Sequence, residues 1–237
     1  MNIGNYIECG FELHASAIDK AAALGARDWI LQHRNRSDIP STQEAFSHGL
    51  PGPIKLRRLW QADPAFWTDF MLTSGVLDIA GSHLGIGYLL IRSASFIKYP
   101  QSLSEVGWHR DLDLWGHGVD AGLTIWIPLT PVPIDSGCLA FLSGSHRRAP
   151  GPLRFDLKHP YHRVMDPTGL GDAVRVPAEV GDCVLMNAAT VHSSGPNHSL
   201  DERIALVLAF ANCSVDHLTE SAVVFGPSGA QELGLLR

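Results

Sequence analysis

Two histidines, an aspartate and an arginine stand at spacings that could hold a metal ion and a chelating acid. The chain reads Trp108-His109-Arg110-Asp111, much later Val191-His192-Ser193-Ser194, and then Arg203 at the head of an apolar run. Two imidazoles and one carboxylate make the facial triad suited to non-haem Fe(II). That triad leaves the opposite face of the octahedron open for a chelating co-substrate and O2. His109 and Asp111 lie two residues apart, so on an extended segment both side chains reach one face while Arg110 points away. A His-x-Asp pair alone fits an ordinary loop histidine equally well. The later residues narrow the choice. Gly181-Asp182 makes a tight turn, 183–186 a strand, and His192 follows at a strand's distance. Arg203 then offers a guanidinium fork that suits a planar carboxylate better than a lysine would.

These side chains need a scaffold, and the periodicity of the chain changes along its length. Residues 14–34 carry Ala17, Ile18, Ala21, Leu24, Ala26, Trp29 and Ile30, a helical stripe. Residues 35–58 are broken by Pro40, Pro51, Gly52 and Pro53. They read as loop, with a short helix begun at Ser41 or Thr42 and Glu44 placed as in a capping box. Asp63-Pro64 opens a second helix that runs to about His83. From Gly87 the runs 88–99, 123–129, 138–142, 174–176, 183–186 and 204–211 are short and strand-like, separated by Gly, Pro, Asp and Ser. The pattern predicts a mainly β protein with flanking helices. A helical part covers about 1–85 and a β core about 86–212, as a sandwich or barrel and not a doubly wound sheet. Residues 147–171 read as a long loop of the kind that forms lids or binding segments. Its basic residues, Arg154, Lys158, His159, His162 and Arg163, fit a solvated loop.

The 237 residues include 18 basic and 24 acidic ones, a net charge of -6, which argues against nucleic acid or an anionic membrane as the main partner. The longest apolar runs, such as 204–211, are too short to span a bilayer. The N-terminus lacks the basic and then apolar segments of a secretory signal. Cys9, Cys138, Cys183 and Cys213 form no CxxC pair and read as free thiols of a reducing cytoplasm. The expectation is one cytoplasmic domain over 1–237, acting on a small molecule as a monomer or homodimer.

Several motifs resemble one family. They are Trp108-His109-Arg110-Asp111, Trp126, the block Ser136-Gly137-Cys138-Leu139-Ala140-Phe141-Leu142-Ser143-Gly144-Ser145-His146, and the run from Gly181-Asp182 through His192-Ser193-Ser194-Gly195-Pro196-Asn197 to Arg203. Over about 86–212 the chain resembles the phytanoyl-CoA dioxygenase-like Fe(II)/2-oxoglutarate oxygenases. The resemblance implies a double-stranded β-helix (jelly roll, cupin-like) core, with Fe(II) on His109, Asp111 and His192. It implies 2-oxoglutarate at Arg203, assisted by Ser194, and O2 as the oxidant. Trp115 and Trp126 fall where family members often have aromatics near the co-substrate, with plain core packing an equal reading. His146 reads as structural. Arg92 and Lys98 share parity on the strand before the His-x-Asp pair; either could meet an anion, with a solvent-exposed strand end the expectation for Lys98. The presence of Asp111 disfavours halogenation, since halogenating relatives carry a small residue there.

The implied reaction oxidises an unactivated C–H bond with succinate and CO2 as co-products. Hydroxylation is the default, while desaturation, epimerisation and cyclisation use the same triad. Size and resemblance favour a small metabolite, such as a natural-product intermediate, over a lipid acyl-CoA. Two other classes stay open. Arg203 and Ser194 argue against a cupin-like metal enzyme that does not use 2-oxoglutarate, and the complete triad argues against a non-catalytic binding module.

Overall fold

The computed structural model of the chain describes residues 3–42, 52, 54–85, 88–115, 122–149, 153–155, 163–212, 222–226 and 229–233. The N-terminal part holds β1 (Gly4–Asn5), α1 (Tyr6–Cys9), β2 (Phe11–His14), α2 (Lys20–His33), β3 (Ser41–Thr42), β4 (Lys55–Arg57), α3 (Leu59–Ala62), α4 (Pro64–Thr73) and α5 (Val76–Leu84). The β-rich part follows with β5 (Leu89–Lys98), β6 (Val106–His109), β7 (Gly122–Pro128), β8 (Leu139–Leu142), β9 (Leu153–Phe155), β10 (Arg163–Met165), β11 (Ala173–Val176), β12 (Cys183–Asn187), β13 (His192–Ser194), β14 (Arg203–Ala211), β15 (Ala222–Gly226) and β16 (Gly229–Leu233).

Two antiparallel sheets carry the fold. The larger runs β1-β2-β12-β7-β14-β5-β15-β16, with β4 and β3 also joined at β5. The smaller runs β11-β8-β13-β6. This is the predicted mainly β architecture with a double-stranded β-helix core. Alternation sorts the side chains of the larger sheet. Leu123, Ile125, Ile127, Leu206 and Leu208 face the helices and pack with Trp29, Trp67 and Phe70. Trp126, Val184, Met186 and Ala205 face the smaller sheet and pack with Leu139 and Phe141. Because both faces of the larger sheet are covered, β7 and β14 read in sequence as nearly continuous apolar runs.

The predicted strands recur with their ends moved by a residue or two. The helices differ more. Helix α2 starts at Lys20, where Asp19 caps it by accepting from the Ala22 amide. His14 belongs instead to β2, whose Cys183↔His14 pairing with β12 is a long-range contact. Asp63 caps α4 as expected, accepting from the Phe66 amide. That helix stops at Thr73, because Gly75 takes φ 91 before α5 begins. Ser41 and Thr42 are extended, and pair with Leu56 and Lys55; the short helix expected after them lies outside the described residues. The expected loop 147–171 contains the β9–β10 hairpin. Among the described residues, no helix is long and apolar enough to cross a membrane.

Lys98 corrects a second expectation. It is 2% exposed. Its Nζ donates to the carbonyls of Ser104 (3.1 Å), Ser194 (2.9 Å) and Gly195. The strand end is buried because 194–197 folds back over it, and Asn197 donates to the Lys98 carbonyl at 3.0 Å.

Candidate metal centre

His109 ends β6 and His192 opens β13, and the two are direct cross-strand partners in the smaller sheet. The strand stops at His109. Arg110 is extended and Asp111 opens a 3-10 turn, Asp111–Leu114, so the predicted continuous extended segment ends one residue early. The turn still brings the carboxylate back to the imidazoles. It is pinned by Leu112 N donating to Ala188 O at 2.9 Å, and by the Arg110–Asp113 ion pair on its outer side.

The geometry fixes what each ring presents. His109 Nδ1 lies 2.8 Å from the Gly107 carbonyl and His192 Nδ1 lies 3.0 Å from the Thr190 carbonyl. A carbonyl only accepts, so each Nδ1 carries a proton, and each ring turns its Nε2 edge toward Asp111. Those Nε2 atoms lie 3.7 Å and 4.0 Å from Asp111 Oδ1. One ligand atom from each of the three residues lies within 4.8 Å of the others, a set that could hold a metal ion. The second carboxylate oxygen, Oδ2, accepts from Thr124 Oγ1 at 2.6 Å.

Electrostatics prepare the site for a cation. Burial raises the Asp111 carboxyl, but hydrogen bonding from His109, electrostatic attraction to the two imidazoles and the Thr124 hydroxyl more than offset this and hold it below the usual carboxylate range. Burial, then the neighbouring His109, push His192 down to about 4, so it is a neutral ligand at neutral pH.

Arg203 opens β14, on the face toward the same cavity, and is 2% exposed. Its guanidinium sits 4.8 Å from the Trp126 ring centre. Its Nε and Nη2 are buried with no hydrogen-bond partner. Burial pushes the group down to about 10, which leaves it charged at neutral pH. An unpaired buried cation is costly to a fold, and a carboxylate ligand would relieve it. The donor set and this orphaned fork fit a divalent metal and a dicarboxylate.

The remaining predicted residues divide. Trp115 and Ser194 line the cavity, an open cleft of about 670 Å³. The Ser194 hydroxyl donates to Gly137 O at 2.9 Å. His146 is structural, its Nε2 3.1 Å from Ile7 O. Sequence reasoning passed over Thr124 and Lys55, which also line the cleft. Lys55 Nζ rides 4.5 Å over the Phe96 ring. The alternation Ile54-Lys55-Leu56-Arg57 was the available signal for its strand.

Residues 44–205 match the family model described as phytanoyl-CoA dioxygenase (PhyH). The chain is 32% identical over 145 residues to a probable alpha-ketoglutarate-dependent hypophosphite dioxygenase of Stutzerimonas stutzeri, covering 57% of this chain and 49% of that protein. It is 29% identical over 143 residues to phytanoyl-CoA dioxygenase domain-containing protein 1 of Mus musculus, covering 56% of this chain and 46% of that protein. The chain thus spans about half the length of the curated relatives it matches. In fold it is similar to the alpha ketoglutarate dependent carbocyclase SnoK from nogalamycin biosynthesis, with TM-score 0.70 and 22% identity over 92% of this chain and 83% of that one. It is also similar to EvdO2 from Micromonospora carbonacea var. aurantiaca, with TM-score 0.72 and 21% identity over 88% of each chain.

Proposed function

The chain belongs to the phytanoyl-CoA dioxygenase (PhyH) family, and from that premise we propose that it is an Fe(II)/2-oxoglutarate-dependent oxygenase that hydroxylates a small metabolite. The observation that carries this reading is one cavity that holds both the converging His109, Asp111 and His192 atoms and the Arg203 guanidinium, whose Nε and Nη2 have no partner. Similarity to a probable alpha-ketoglutarate-dependent dioxygenase supports the co-substrate. The likeness to a nogalamycin-biosynthesis carbocyclase supports a substrate of natural-product type.

In this reading His109 and His192 give Nε2 lone pairs, and their Nδ1–H bonds to Gly107 and Thr190 carbonyls stop the rings from turning. Asp111 gives Oδ1, because Thr124 occupies Oδ2. Arg203 takes the far carboxylate of 2-oxoglutarate, with Trp126 stacked beside the fork. Bound there, Fe(II) and 2-oxoglutarate supply the activation of O2 that oxidises an unactivated C–H bond, with succinate and CO2 as co-products. Leu139, Met186 and Val207 line the cleft with apolar surface that keeps water from the reacting atoms.

The test is anaerobic reconstitution with Fe(II), followed by 2-oxoglutarate-dependent O2 uptake and succinate release. His109→Ala and His192→Ala are expected to lose metal binding and turnover. Full metal affinity and turnover in either folded variant would refute the ligand set.

A further inference from the structure

The cleft carries more positive charge than the proposed metal and co-substrate neutralise. Its lining includes Lys55, Arg92, Lys98 and Arg203, against Asp111 as the one carboxylate among the described lining residues. A dication and a dianion cancel, so that excess survives loading. Lys98 is already held by three carbonyls. Arg92 is different. It is half-buried, and its hydrogen bond runs from Nη2 to Leu114 O at 3.1 Å. Among the described residues it has no ion pair.

Register gives Arg92 its place. It pairs with Ala209 on β14, and Ala209 pairs with Thr124 on β7, whose hydroxyl holds Asp111. Adjacent strands lie about 4.8 Å apart, so Arg92 and Thr124 are about 10 Å apart at the backbone, with only a methyl side chain between them. Arg203 stands on β14 at the opposite end of the same face, about 20 Å along the strand from Ala209 at about 3.3 Å per residue. The two arginines are therefore rooted at opposite ends of the cavity floor, and Arg92 turns its Nη2 to Leu114 O. An arm at Arg92 lies too far off to share one short dicarboxylate with Arg203.

Trp115 follows the carbonyl that Arg92 bonds, and its ring is 3% exposed. Its Nε1–H has no acceptor. Gly122 keeps the ring there, since a Cβ at that position would meet Trp115 at 2.2 Å. Arg92 and the Trp115 Nε1–H thus both offer donors at this corner of the cleft.

We propose that Arg92 anchors the substrate, which carries a compact oxyanion, a carboxylate or a phosphonate-like group, at the end of the cleft opposite Arg203. The inference rests on the oxygenase reading above. A guanidinium fork pairs two-for-two with either anion. The body of the substrate then lies over Ala209, with its reacting bond toward the triad.

The test loads the protein with Ni(II) and saturating 2-oxoglutarate, so that nothing turns over, and titrates benzoate, phenylphosphonate and benzamide by calorimetry. The anions are expected to bind about tenfold more tightly than benzamide, the scale of one charged hydrogen-bonded pair. The tighter of the two anions distinguishes a carboxylate from a phosphoryl group. Arg92→Gln and Arg92→Met are expected to erase the preference and leave 2-oxoglutarate affinity unchanged. Either variant decides the matter if the other fails to fold. The proposal is overturned if a folded neutral variant keeps the preference, if neither anion binds the wild type, or if the variants lose 2-oxoglutarate instead. Failure of the wild type to take up Ni(II) and 2-oxoglutarate overturns the oxygenase reading itself, and this inference with it.

Discussion

At the scale of the residue, the choice of one carboxylate oxygen is the finest feature of the site. Thr124 holds Asp111 Oδ2 at 2.6 Å, and this leaves Oδ1 to face both imidazoles. Thr124→Val keeps the shape and removes the hydroxyl. The expected result is a loss of about 10- to 100-fold in Ni(II) affinity, the range for partners that orient metal ligands, with recovery in Thr124→Ser. Calorimetric titration reads both, and an unchanged affinity in Thr124→Val would refute the role. Arg203→Lys is expected to recover only part of the 2-oxoglutarate binding that Arg203→Ala loses, because an ammonium cannot fork. The convergence of His109, Asp111 and His192, with Arg203 on the same cavity, was legible because these residue types are rare in such a pattern. Thr124 was not. It is a β-branched residue within the apolar run 123–129, and nothing local separates its hydroxyl from one that merely fits a strand. Lys98 was misread for a related reason: the carbonyls that hold it come from Ser104, Ser194 and Gly195, and all but the first are remote in sequence.

At the scale of the element, a corner between β8 and β13 fixes the distal histidine. Gly137 takes φ 78, and its carbonyl accepts from Ser194 Oγ at 2.9 Å. A Cβ there would sit 2.3 Å from Gly195 O and 2.9 Å from Pro196 O, both rigid backbone atoms. Gly137→Ala therefore meets a left-handed backbone and a clash together. It is expected to lower stability by about 2–3 kcal/mol. Denaturant unfolding checks this, and an unchanged midpoint would show that the corner relaxes freely. The core strands were legible to within a residue or two because β5, β7, β12 and β14 are buried on both faces and bounded by turn residues. The small N-terminal strands were not, because β2 exists through its pairing with β12, and two- or three-residue strands carry too little periodicity. The break between α4 and α5 hangs on Gly75 alone, and an isolated glycine is tolerated in many helices.

At the scale of the whole molecule, the site joins the two sheets. His109 and His192 belong to the smaller sheet, Arg203 and Thr124 to the larger, and Asp111 bridges them through its bond to Thr124. The unfolded chain cannot present these groups together, so metal and co-substrate bind the folded state and stabilise it. At about 100 times its dissociation constant, a ligand adds about 2.7 kcal/mol. For a chain of this size each kcal/mol moves the melting temperature by about 2–4 °C, so each ligand is expected to add about 5–10 °C. Ni(II) and then 2-oxoglutarate should raise the melt of the wild type in two steps. Arg203→Ala is expected to keep the first step and lose the second, and His192→Ala to lose both, since the co-substrate needs the metal to chelate. Differential scanning calorimetry on matched samples reads all three. A second step that survives intact in Arg203→Ala would mean that 2-oxoglutarate is held elsewhere in the cleft.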